Sequence, residues 1–235
     1  MCYVIITCRS MLWTLLSITS FMMLLAAVTS PHWLIGYSRH SGLSATRVRN
    51  STVADDSEDA YNPTLGLFNR CLKLMQFRIV PKRENCAAFV TDFLMPDEEF
   101  PNAWKASLVF FSLAGVLLLF TSIAAVLSLC VRTACGKSVF TLSGLMQSVA
   151  GLMCILGLVV FPAGWGSAKV RGYCGDRAGA FDMDNCQLGW SFFLCVVGTL
   201  LTFMCSLLSV KADSATSSHK VEEEVLEGKN LICVL

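Results

Sequence analysis

The sequence predicts an all-α membrane protein built as a bundle of four transmembrane helices, and three observations lead to this fold class. Of the 235 residues, 54% are hydrophobic and only 15% are charged, against about 25% charged residues in soluble domains. Four apolar windows are each long enough to cross a hydrocarbon core of about 30 Å, which takes roughly 20 helical residues. None of these windows contains Asp, Glu, Lys or Arg, and one such charge at mid-bilayer costs about 2.5–3.5 kcal/mol.

The windows also predict a single tetraspan membrane domain over residues 1–235. Two long loops cover about residues 30–105 and 162–187, and a polar tail covers about residues 211–235. Buried helices of a soluble protein would need polar faces that these windows lack. The spans themselves are predicted at about residues 11–29, 106–131, 139–161 and 188–210.

The first span follows a single basic residue, Arg9, and so has the charged start of a secretory signal. Cleavage would have to fall near residues 28–30, where Pro31 follows at once. The apolar run is also long for a signal core. We therefore interpret it as an uncleaved first span.

The third span carries a stripe of small residues, Gly144, Ser148 and Gly151, at the spacing of one helix face. Such a stripe lets a neighbouring helix approach closely in a membrane. Gln147 is the most polar side chain inside this span. The favoured interpretation of Gln147 is a hydrogen bond between helices, and a contact to a substrate is the alternative.

The two long loops each hold a pair of cysteines, Cys71 with Cys86 and Cys174 with Cys186. Even pairs are typical of an oxidising compartment. Four spans put both long loops on one side of the membrane and both termini on the other. Asn50 begins an Asn-Ser-Thr glycosylation acceptor in the first loop. Together these features predict extracellular loops and cytoplasmic termini in a multi-pass protein of the plasma membrane.

The pairing of these four cysteines is open in the sequence, because four cysteines permit three connectivities and reduced thiols are an alternative. We favour pairing within each loop. Each bridge would close a loop of about 15 residues and stabilise the fold by roughly 3 kcal/mol. Other cysteines within or at the end of the spans are interpreted as small apolar packers, namely Cys130, Cys154, Cys195 and Cys205. Palmitoylation is an open alternative near the cytoplasmic face at Cys2, Cys8 and Cys135.

Several function classes lack their usual residues. A net charge of +1 and the lack of a Lys/Arg cluster argue against nucleic-acid binding. The sequence has no Cys-x-x-Cys spacing, and His32, His40 and His219 lie outside the spans without a zinc or nucleophile motif. We therefore assign no catalytic, cofactor-binding or metal-binding residue. A channel or transporter is disfavoured because charged residues inside spans usually mark ion pathways, and the four predicted spans contain none.

The chain ends on an apolar residue, Leu235, which a PDZ domain could capture by strand addition. Cys233, two residues before Leu235, fits strand addition to a PDZ domain poorly. Removing Leu235 and following the localisation of the protein tests this hypothesis.

Four motifs carry a resemblance to a known family. The first two are Pro31-His32-Trp33-Leu34-Ile35-Gly36 and Gly66-Leu67-Phe68, the latter shortly before Cys71. The others are Phe161-Pro162-Ala163-Gly164-Trp165-Gly166 and Tyr173-Cys174-Gly175, which is followed by Cys186. With four spans and a large first loop, this pattern resembles the claudin and PMP-like tetraspan superfamily and, within it, the lipoma HMGIC fusion partner-like family. The family-motif residues are Trp33, Gly66, Leu67, Phe68, Pro162, Gly164 and Trp165.

The resemblance implies a claudin-like four-helix bundle with a small extracellular antiparallel β-sheet, which the first-loop disulfide staples. It also implies a non-enzymatic auxiliary subunit or interaction partner of other integral membrane proteins, such as a channel, receptor or adhesion protein. The alternative is a claudin-like cell-contact or paracellular strand-forming protein, which would self-associate. Trp33 and Trp165 lie just beyond spans, so they are expected either to anchor in the lipid bilayer interface or to contact a partner.

Overall fold

The computed structural model describes residues 4–36, 39–40, 60–75, 84–88, 100–128, 133–134, 137–216 and 231–234. Within these residues four helices are long and apolar enough to cross a membrane. The long helices are α1 (Cys8–Thr29), α2 (Asn102–Leu127), α3 (Val139–Val160) and α5 (Trp190–Thr216), and a short helix, α4 (Ala168–Cys174), lies between the last two. The predicted four-span fold class is confirmed.

The helix ends differ from the predicted limits of the spans. Helix α1 begins at Cys8 and α2 at Asn102, each before the apolar window that predicted it. Helix α5 continues to Thr216, so the first residues of the predicted polar tail are helical. A helix keeps its backbone hydrogen bonds beyond the hydrocarbon core, so hydropathy places the span without setting the helix ends.

The strands are short. In chain order they are β1 (Val4–Thr7), β2 (Leu34–Ile35), β3 (Arg39–His40), β4 (Ala60–Leu65), β5 (Asn69–Met75), β6 (Glu84–Ala88), β7 (Thr133–Ala134), β8 (Lys137–Ser138), β9 (Gln187–Leu188) and β10 (Leu231–Val234). A 3-10 turn, Phe161–Gly166, follows α3.

The chain divides into two compact units, and the first contains most of the long helices: Met1–Val28, Ala106–Phe161 and Phe193–Leu235. Trp13 and Phe140 pack in its core with ring centroids 5.1 Å apart, beside Ala125, Cys205 and Ala212. Large apolar side chains such as Phe120, Leu145 and Leu207 point outward and are exposed. An apolar exterior is what a bundle surrounded by lipid requires, because lipid replaces water there.

A buried polar cluster links three helices of this unit. Gln147 Nε2 on α3 donates to Ser17 Oγ on α1 at 2.8 Å, and Trp13 Nε1 donates to Gln147 Oε1 at 3.3 Å. Ser122 on α2 donates to the Ser17 carbonyl oxygen at 3.4 Å. The predicted hydrogen bond between helices at Gln147 is confirmed.

The small-residue stripe of α3 packs against α5. A Cβ at Gly144 would meet the Ser209 side chain, and a Cβ at Gly151 would lie 2.7 Å from the Phe203 ring. Ser148 Oγ lies 2.6 Å from Ser206 Oγ. The stripe therefore allows the close approach of α3 and α5.

The second unit contains the two long loops, Thr29–Lys105 and Pro162–Phe192. Among the residues that the structure describes, it forms a six-stranded sheet in the order β6-β5-β4-β2-β9, with β3 also paired to β4. All of these pairs are antiparallel. The small antiparallel sheet that the resemblance implied is confirmed, and the β2–β9 pair shows that both loops contribute to it.

Candidate interaction surface

The first-loop disulfide lies at one edge of the sheet. Cys71 on β5 and Cys86 on β6 are direct partners in the antiparallel register, and their sulfurs are bonded with the Cα atoms 4.1 Å apart. Cys71 is buried, whereas Cys86 is exposed. Among the described strands β6 pairs with β5 alone, so the bridge fixes an edge strand.

The second-loop disulfide joins Cys174, the last residue of α4, to Cys186, which directly precedes β9. Helix α4 begins after Ser167, whose side chain accepts a hydrogen bond from the Val170 amide at 3.4 Å. Both Cys174 and Cys186 are buried. Of the three connectivities open in the sequence, the structure has the one with a bridge inside each loop.

Backbone contacts between the two loops are tight. The Gly189 amide donates to the Trp33 carbonyl oxygen at 2.8 Å, and a Cβ at Gly189 would collide with the His32 carbonyl group. Arg70 on β5 donates through Nη1 to the Tyr173 hydroxyl at 2.7 Å. The loops therefore form one stapled sheet.

The two motif tryptophans are buried, which corrects the expectation for them. Trp33 is 0% exposed, and its ring packs edge-on against Phe192 at a centroid distance of 6.0 Å. Trp165 is also buried. A side chain enclosed by its own chain reaches neither the bilayer interface nor a partner, so both expectations for Trp33 and Trp165 were wrong.

The other motif residues are packing positions. A Cβ at Gly66 would lie 2.6 Å from the Ser30 carbonyl oxygen, and one at Gly164 would collide with the Trp104 ring. Leu67 is buried and Phe68 partly buried. The Pro162 carbonyl oxygen accepts a hydrogen bond from the Phe181 amide at 3.1 Å. These residues shape the loop unit from within, which leaves contact with a partner to other side chains.

Several predicted positions lie outside the residues that the structure describes. They are the glycosylation acceptor Asn50, the carboxyl-terminal Leu235, and Cys2, Cys130 and Cys135. Cys8 is described, and it is a free, exposed cysteine at the start of α1. Residues Leu231–Val234 pair in parallel with Val4–Thr7.

The structure adds positions that the sequence analysis missed. Tyr173, Gly189 and Trp104 each make a contact far along the chain, and Phe181 has a positive φ of 64°. Of these positions, the sequence offered a signal at Tyr173, because it is an aromatic residue directly before Cys174. In the described part of the chain, no group of three or more His, Cys, Asp or Glu residues is placed to hold a metal ion.

Comparison with known proteins gives consistent relatives. The family described as lipoma HMGIC fusion partner-like protein matches residues 9–211. The chain is 41% identical over 235 residues to LHFPL tetraspan subfamily member 2 protein of Homo sapiens, with 100% of both chains covered. It is 40% identical over the full length of both chains to the member 2a protein of Danio rerio. With the member 4 protein of Mus musculus it shares 27% identity over 71% of this chain and 64% of the relative.

Proposed function

This chain belongs to the lipoma HMGIC fusion partner-like family, and from that premise we propose that it is a non-enzymatic auxiliary subunit or interaction partner of other integral membrane proteins. The proposed contact surface is the stapled edge of the loop sheet, formed by β5 and β6. The observation that carries this proposal is the disulfide between Cys71 and Cys86, which holds an edge strand in a set register.

An edge strand offers backbone N–H and C=O groups to another chain, and strand addition is a common mode of recognition. In the described part of the sheet, the edge of β6 opposite β5 carries no further strand. Cys71 is buried and Cys86 is exposed. The bridge therefore ties the outer strand to the core of the unit, which supports a surface that holds its shape without a partner.

Rigidity reduces the entropy lost on binding, so a pre-organised surface binds more tightly for the same contacts. Three links join the two loops that form this sheet: the β2–β9 pair, the hydrogen bond from Gly189 to Trp33, and the bond from Arg70 to Tyr173. They support a role as a fixed platform.

The non-enzymatic part of the proposal has its support in the helices. Gln147 is the polar side chain that we had considered as an alternative substrate contact. Its amide oxygen accepts from Trp13 and its amide nitrogen donates to Ser17. An amide engaged in this way serves helix packing.

The proposal places both loops outside the cell and both termini in the cytoplasm of a plasma-membrane protein. The bridges inside each loop support this, since disulfides persist in oxidising compartments. Asn50 is the proposed glycosylation site. Treatment with a glycosidase should lower the mass of the native protein and leave Asn50→Gln unchanged; an unaltered native mass would contradict glycosylation at Asn50.

A PDZ domain is proposed as a cytoplasmic partner of the carboxyl terminus at Leu235. Strand β10 uses one edge for its pairing with β1, so the domain would bind along the other edge. Deleting Leu235 should then shift localisation and remove a PDZ protein from pull-downs. Unchanged trafficking and partners would rule this contact out.

The main test is proximity labelling from the first loop in intact cells. The native protein is compared with the Cys71→Ser, Cys86→Ser double variant at matched surface level, and Cys8→Ser is the control that leaves both loop bridges intact. A specific channel, receptor or adhesion protein should be enriched with the native protein and the control, and lost with the double variant. If the chain chiefly labels itself at cell contacts, the claudin-like strand former replaces this proposal.

A further inference from the structure

The second loop carries a tight hairpin with an exposed aromatic residue at its tip. Gly179 and Asp182 exchange two backbone hydrogen bonds, of 3.0 and 3.1 Å. Phe181 lies between them and is 64% exposed. The Cys174–Cys186 bridge encloses this turn, so the turn presents a large apolar ring at a set position.

The backbone of Phe181 supports a specific role for this ring. Its φ of 64° lies in the left-handed region, where glycine or asparagine is usual at this turn position and a bulky residue is an outlier. Such conformations persist when the surrounding structure enforces them, and they cluster at functional positions. Glycine at this position would remove the strain, but it would also remove the ring.

The hairpin is hydrogen-bonded to the 3-10 turn that follows α3 in the chain. The Phe181 amide donates to the Pro162 carbonyl oxygen at 3.1 Å, and Pro162 lies in the 3-10 turn that directly follows α3. A Cβ at Gly166, at the end of that turn, would lie 3.2 Å from the Ala180 amide nitrogen. Pro162 is two residues beyond the end of α3, and this hydrogen bond ties the tip of the hairpin to that point of the chain.

A second exposed aromatic residue lies at the start of a span. Trp190 is the first residue of α5 and is 52% exposed, with its ring 5.8 Å from the His32 ring. Aromatic side chains at span ends are typical of the membrane interface. We propose that the Gly179–Asp182 hairpin is a membrane-dipping element, with Phe181 inserted among the lipids of the leaflet next to the long loops.

The occupant of this site is lipid because the exposed ring is tied through its backbone to Pro162, which follows α3 within two residues. Asp182, the last residue of the hairpin, and Asp184, two residues beyond it, follow Phe181 and are exposed. An apolar tip followed by charged groups fits the boundary between acyl chains and head groups, where the ring is buried and the carboxylates stay hydrated.

The test replaces Phe181 with p-benzoylphenylalanine in the full chain, since this side chain also carries a phenyl ring and inserts into nearby C–H bonds on illumination. Trp190 receives the same probe as the positive control. Asp184 is the matched control, because it is exposed in the same loop and also has a positive φ, of 49°. After illumination of intact cells, the protein with the probe at 181 or 190 should gain the mass of one phospholipid, whereas the protein with the probe at 184 should not.

A crosslink from position 181 to a second copy or to another protein would overturn the proposal, and so would the lack of any adduct there. A spin label at position 181 in lipid nanodiscs gives an independent measurement. Oxygen should collide with the label more often than a water-soluble nickel chelate does, and the order should reverse at position 184. Preferred access by the chelate at 181 would also overturn the proposal.

Discussion

Gln147 on α3 and Ser17 on α1 are joined by a buried hydrogen bond of 2.8 Å, and both side chains are shielded from lipid. The same amide accepts from Trp13. Three helices meet at this cluster, since Ser122 of α2 bonds to the Ser17 carbonyl oxygen. In a membrane, where apolar contact with lipid competes with packing, such a bond helps to specify which helix faces are neighbours.

Gln147→Leu should therefore lower the free energy of unfolding by about 1–2 kcal/mol, because the replacement has a similar volume and leaves the Trp13 donor and the Ser17 acceptor without their partner. The measurement is thermal unfolding of the purified protein in detergent. Leu145→Ala, an exposed position on the same helix, should have a much smaller effect. Equal losses for the two variants would contradict a structural role for the cluster.

Gly144→Leu should separate α3 from α5, because even a Cβ collides there with Ser209. Overpacking of this kind costs about 1–3 kcal/mol. Gly115→Leu on α2 is the matched control, since a Cβ at Gly115 meets nothing within 4 Å. Both variants are compared by melting temperature and surface level. The close approach of α3 and α5 would be refuted if Gly144→Leu matched the native protein.

Removing the first-loop bridge with Cys71→Ser, Cys86→Ser should destabilise the loop unit by roughly 3 kcal/mol, because the reduced chain regains loop entropy. Amide hydrogen exchange should rise in β5 and β6 and change little in α3. Cys8→Ser is the control, as Cys8 is a free cysteine. Native-like protection of β5 and β6 in the double variant would show that the sheet holds without its bridge.

Gly189→Ala should disrupt the contact between the two loops, since the added methyl group meets the His32 carbonyl group. We expect a loss of about 1–3 kcal/mol and a lower surface level. Gly172→Ala is the matched control, because a Cβ at Gly172 meets nothing within 4 Å. Surface biotinylation measures the outcome, and equal levels for the two variants would contradict the tight β2–β9 junction.

The sequence by itself determined the membrane architecture. Each span depends on its own run of about 20 apolar residues, because a charge within the run would be costly wherever its neighbours lie. The stripe at Gly144 and Gly151 and the polar side chain of Gln147 also predicted helix contacts. The cysteine pattern favoured disulfides within each loop but left the other pairings open. The register that sets Cys71 opposite Cys86 is a property of the folded sheet.

Only the tertiary structure decided the environment of residues whose partners are distant in the chain. Trp33 follows a span, where aromatic residues commonly meet lipid, yet bonds to Leu65 and Gly189 hold its backbone inside the loop unit. Phe181 drew no attention in the sequence, yet its ring is 64% exposed. Hydropathy is a local property, whereas burial depends on which segments pair, so the sequence predicted the spans while the folded loops decided which of their aromatic residues are buried.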